Sequence, residues 1–134
     1  MLKNLLSPIL LLSLVHCSAT QNNTTPLTSC DPTTDRVGTY LVHFDTVSGN
    51  CGAIPDELTI VAADQSTAAS TCTVINSTWS DGNCRNDLQK TCNGGITVTG
   101  FTVQQSQDGS LVTGEETLTQ PSCAGTYNVT WTRQ

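Results

Sequence analysis

Gly38-Thr39-Tyr40-Leu41-Val42-His43-Phe44 and, near the other end of the chain, Gly125-Thr126-Tyr127-Asn128-Val129-Thr130-Trp131 are two versions of one phrase. They agree at Gly, Thr, Tyr, Val and the closing aromatic. In each copy the Tyr, the Val and the last aromatic are spaced two apart, so on an extended strand all three point to one face. The first and last strands of the body therefore offer matching walls to one core: Tyr40, Val42 and Phe44 from one, Tyr127, Val129 and Trp131 from the other.

Outward from these stretches the same alternation continues, rich in Thr and Val and punctuated by Gly, Asn and Asp. It predicts seven strands, near 37–46, 57–62, 72–79, 84–91, 96–105, 110–119 and 124–133. Ser80-Asp81-Gly82-Asn83, Asn93-Gly94-Gly95 and Gln107-Asp108-Gly109-Ser110 suit tight hairpins, because Gly and Asn accept positive φ at low cost. No segment carries a sustained helical stripe; Asp64–Ser70 suits one short helical turn. The expected fold is all-β, an antiparallel meander forming a small sandwich or barrel of about seven strands, stapled by disulfides.

One of the seven cysteines, Cys17, ends an apolar leader, and the other six are spread through the body. An even six in a small exported domain reads as three disulfides. A core with only two Trp, two Phe and two Tyr needs such staples. On an up-and-down path of seven strands, Cys30, Cys72, Cys92 and Cys123 collect at one pole, with Cys51 and Cys84 at the other. That pairs Cys51 with Cys84. The hairpin centred on Asp81-Gly82-Asn83 sets Cys72 opposite Cys92, and Cys30 is left for Cys123. No Cys-x-x-Cys pair occurs, so no metal and no cofactor is expected.

Residues 1–17 read as a signal leader: Lys3 gives the positive charge, and the apolar run at 5–15 falls short of the ~20 residues that span a bilayer. Leu14-Val15-His16-Cys17 resembles a bacterial lipobox, in which Cys17 becomes the acylated first residue, although His16 stands where a small residue is usual. The alternative is plain secretion with cleavage after Ala19. Residues 18–29 are a polar tether and residues 30–134 a single β domain. The lipobox reading places the protein on a bacterial outer membrane or cell surface, its membrane contact being a lipid on Cys17. The other makes it secreted or periplasmic. Eleven acidic against five basic residues argue against nucleic acid and anionic lipid surfaces as partners.

The ending Cys123-Ala124-Gly125-Thr126-Tyr127-Asn128-Val129-Thr130-Trp131-Thr132-Arg133, preceded by Asp81-Gly82-Asn83-Cys84 and Cys92, resembles small bacterial exported lipoproteins with a Cys-x-Gly-Thr-Tyr-x-Val-Thr final strand. That resemblance covers about residues 72–133 and implies no particular activity. Gly38-Thr39-Tyr40 is also similar to the Gly-x-Trp of lipocalin-like barrels, with Tyr for Trp, and that resemblance implies Arg133 as its packing partner.

Catalytic chemistry finds little to work with. His16 lies in the leader and His43 shares the outward face with Thr39, Leu41 and Asp45, with no nucleophile motif beside it. Asp31 and Asp35, Asp56-Glu57 and Glu115-Glu116 lack calcium-loop spacing, and neighbours on a strand face opposite ways. Asp81 and Asp108 belong to turns. Asn22, Asn23, Asn76 and Asn128 begin Asn-x-Ser/Thr sequons, which matter only in a secreting eukaryote. The first expectation is a non-enzymatic exported lipoprotein domain with a structural or interaction role. The alternatives are a lipocalin-like carrier of a small apolar ligand, for which an internal cavity is the discriminating feature, and a secreted inhibitor-like module.

Overall fold

The computed structural model describes residues 25–64, 67–68 and 72–134. The leader, Cys17, the first part of the tether and the sequons at Asn22 and Asn23 lie outside the described residues. The strands are β1 (Gly38–Gly49), β2 (Glu57–Val61), β3 (Thr67–Ala68), β4 (Cys72–Ser80), β5 (Arg85–Cys92), β6 (Ile96–Gln104), β7 (Leu111–Thr119) and β8 (Ala124–Arg133). Seven of them fall where the alternation places them. The eighth, the two-residue β3, lies where a helical turn was expected, because Ala68 and Thr67 pair with Ile60 and Val61 along the free edge of β2.

All pairings are antiparallel, in one sheet of order β3-β2-β1-β8-β7-β6-β5-β4. These are the neighbours of an up-and-down barrel, with β1 closed against β8 and the seam left open between β3 and β4. The result is a curled half-barrel. Two inward-facing glycines allow the curl. Gly100 on β6 lies across from Glu116, and Gly114 on β7 across from Thr102. A Cβ on Gly100 would run into the Glu115 carbonyl oxygen, and one on Gly114 into that of Phe101. Lacking those side chains, the two strands have room to bend over their own concave face. A bulge between Val74 and Asn76 moves the inward positions of β4 from Cys72 and Val74 to Ser77 and Trp79.

The repeated phrases meet directly, with Val42 opposite Trp131 and Phe44 opposite Val129. Because the copies run in opposite directions, each Tyr meets the other copy's closing aromatic edge-on. Tyr40 and Trp131 have ring centroids 5.9 Å apart, Phe44 and Tyr127 6.5 Å. Each Tyr hydroxyl donates to a glycine carbonyl at its own pole, Tyr40 to Gly109 and Tyr127 to Gly52, both at 2.8 Å. Tyr40, Val42, Tyr127 and Val129 are buried, whereas Phe44 and Trp131 are half-buried.

The disulfides are Cys30–Cys84, Cys51–Cys123 and Cys72–Cys92. Only Cys72–Cys92 is as expected, and the pairs Cys51–Cys84 and Cys30–Cys123 are not formed. The cause is β3. One extra strand reverses the direction of every later strand, which sends Cys84 to the pole of Cys30 and Cys123 to that of Cys51. Cys30 is further held there by its N–H, which donates to the Gly82 carbonyl at 2.9 Å.

Gly100→Ala and Gly114→Ala are each expected to destabilise the domain by about 1–3 kcal/mol through overpacking. The measurement is the urea midpoint, with the outward, exposed Thr99→Ala as a control expected to stay within about 0.5 kcal/mol.

Candidate ligand-binding cavity

The concave face holds two adjoining clefts of about 530 and 390 Å³, each about half open to solvent, a size suited to small molecules. The larger is walled by Tyr40, Val61, Trp79, Leu88, Val112 and Trp131. Val42, Phe44, Ile54, Val98 and Leu118 wall the smaller. Cys72, Lys90 and Trp131 border both. The strand period places these side chains on one face, and the curl supplies the concavity.

Three polar features are set into these walls. Lys90 on β5 reaches across β6 to Glu116 on β7, Nζ to Oε2 3.4 Å, with the Glu116 side chain 8 % exposed. Gly100 lies opposite both Leu88 and Glu116 and contributes no side chain to the space between. At the pole of Cys30 and Cys84, Arg36 enters the larger space. It donates to the Cys84 carbonyl at 2.7 Å, the Thr102 hydroxyl at 2.9 Å and the Gln104 amide oxygen at 3.5 Å. Its guanidinium carbon stands 4.9 Å from the centre of the Trp79 ring. Burial draws its pKa down to about 10. The third feature is the Trp131 indole, whose buried Nε1–H has no acceptor among the described residues.

The turn that aims Arg36 is built by Asp31 and Asp35. The Asp31 N–H donates to the Asp35 carboxylate, and the Thr33 N–H and hydroxyl donate to that of Asp31. The bonds from Thr33 hold the Asp31 pKa below its ordinary value. Beside this turn Arg133 lies over Tyr40, 5.5 Å from its ring centre, and donates to the Tyr40 hydroxyl and the Asp35 carbonyl.

Of the other charged and sequon residues singled out in the sequence, Glu116 and the exposed Glu57 border the smaller space, and the rest lie away from the cavity interior. His43 is exposed on the convex face, Nδ1 2.6 Å from Asp56 and Nε2 3.3 Å from Asp45. The hydrogen bond and charge of Asp56, then the charge of Asp45, raise its pKa. Glu115 and Glu116 diverge as expected, the first exposed and the second buried. Asp81 sits in the β4–β5 turn at positive φ. Asp108 accepts from the Ser110 N–H at 3.0 Å, which pulls its pKa down to about 2. Asn76 and Asn128 are exposed. Among the described residues no group of three or more His, Cys, Asp or Glu side chains is placed to hold a metal.

Sequence reasoning did not single out Arg36, Lys90 or Glu116 as a set. For the last two a signal existed, since Lys90 and Glu116 occupy the inward parity set by Leu88 and Leu118. Comparison with protein families, curated proteins and solved structures gives no match to this chain.

Lys90→Met leaves the buried Glu116 carboxylate without its partner. With the Lys90 side chain 21 % exposed, the expected destabilisation is about 3 kcal/mol, at the low end for a broken buried pair. The double variant Lys90→Met/Glu116→Gln should recover most of it in the same denaturation measurement.

Proposed function

We propose that this chain is a non-enzymatic, exported binding domain that carries a small ligand with an apolar body in its concave face. The observation that carries this reading is the pair of adjoining spaces, apolar-walled and joined at Trp131. A structural module, the first expectation from the sequence, calls for a filled concave face. The carrier, its alternative, calls for this one.

Both tryptophans of the chain, Trp79 and Trp131, border the larger space, so ligand entry has a built-in reporter. The neutral apolar dye N-phenyl-1-naphthylamine is expected to bind with micromolar affinity and brighten, with quenching of the tryptophans. Leu88→Trp, which fills the space, should weaken dye binding about tenfold or more while the fold persists. Absence of dye binding, or equal binding by the filled variant, would return the reading to a structural module.

Three disulfides are compatible with an oxidising, extracellular environment. Within that frame the proposed address is the bacterial cell envelope, with a lipid on Cys17 and the polar stretch that follows as a spacer. In a bacterial host, radiolabelled palmitate should enter the wild type and not Cys17→Ser. An unlabelled mature protein beginning at Thr20 would support plain secretion instead.

A further inference from the structure

Arg36 is a buried cation that makes no ion pair among the described residues; its link to the Asp35 carboxylate runs through the Gln104 amide, whose Nε2 donates to Asp35 at 3.3 Å. The residue is 7 % exposed. Its partners are three neutral oxygens, on Cys84, Thr102 and Gln104, and the face of Trp79. Among the described residues the ion pairs belong to His43, Arg85 and Lys90, and none to Arg36. Even with its pKa drawn down to about 10, the group stays charged at neutral pH. Each of its three nitrogens makes one of these bonds, which uses three of five N–H donors. A charge held out of water without a counter-charge is costly.

The rest of the cavity is unbalanced in the same sense. The Trp131 Nε1–H is a second buried donor, without an acceptor among the described residues. Lys90 and Glu116 satisfy each other. Asp64 borders the larger space and Glu57 the smaller, but both are exposed to water. What the interior has in surplus is one positive charge and hydrogen-bond donors, set among apolar walls.

We infer that the ligand is an amphipathic carboxylate, its anionic end on Arg36 and its apolar body against Trp79, Val112 and Trp131. The inference rests on the carrier reading and gives it a substrate class. It also separates two roles for Arg36. As a mere plug of its pole, held by Cys84 and Thr102, Arg36 would not care about the charge of what lies in the cavity.

The test uses the full, oxidised chain and three ten-carbon probes: decanoate, decan-1-ol and decyltrimethylammonium. Each is titrated at about neutral pH, below its aggregation point, by tryptophan emission and calorimetry. Decanoate is expected to bind about tenfold or more tighter than decanol, as a charge-assisted hydrogen bond predicts, with the cation weakest. In Arg36→Met the advantage of decanoate should vanish while decanol keeps its affinity. Equal binding of decanoate and decanol by the wild type overturns the inference and leaves the carrier reading standing. Failure of all three to bind overturns both. Should Arg36→Met not fold, the ranking on the wild type still decides, and Arg36→Lys should preserve that ranking.

Discussion

The pairing of the first strand with the last is the contact on which the rest of the molecule depends. β1 carries β2 and β3 on its outer side, and β8 carries β7 to β4. Without the β1–β8 ladder the sheet would be two separate ribbons, the smaller of three strands. The side chains at this join are the aromatic phrases, whose antiparallel approach produces two edge-on pairs from one motif. Each such pair contributes about 0.5–1.5 kcal/mol beyond burial of its area. The Tyr hydroxyls then tie the join to Gly109 at one pole and Gly52 at the other. At the first pole Arg133 adds the turn that delivers Arg36.

Much of this fold was legible from residue type alone. Val42 and Val129 occupy the inward positions their spacing assigns, and the three Gly-containing turns join the strands they were expected to join. The disulfide assignment shows how a sound argument fails on one missing piece. Sorting cysteines by pole is valid for an up-and-down sheet. With β3 counted, Cys30 and Cys84 become the two at their pole, and Cys51 is left for Cys123 once Cys72 and Cys92 pair. Two residues at Thr67–Ala68 are too short for any alternation to register, yet they invert the direction of five strands.

The cavity was not legible, for a different reason. Spacing tells which face a side chain takes; it does not tell how tightly a sheet curls or how much space remains inside. The curl depends on Gly100 and Gly114, which in sequence look like ordinary interruptions of a strand. Arg36 was invisible in a second way. It belongs to no strand, and the turn at Asp31 and Asp35 that orients it showed in sequence only as two carboxylates without calcium-loop spacing. Its role emerges from distant partners, Thr102 and Gln104 on β6 and Trp79 on β4.

The join between β1 and β8 also sets the order of events in folding. Tyr40 and Arg133 face each other across it, yet 93 residues separate them along the chain. Bringing them together means closing nearly the whole body into a loop, an entropic cost met before any aromatic contact repays it. Hairpins such as β4–β5 and β6–β7 can form early from local contacts. β1 to β3 lack their partner until the final strand is available. A chain emerging from its N-terminus would therefore stay open until β8 arrives, and would then close in a late step.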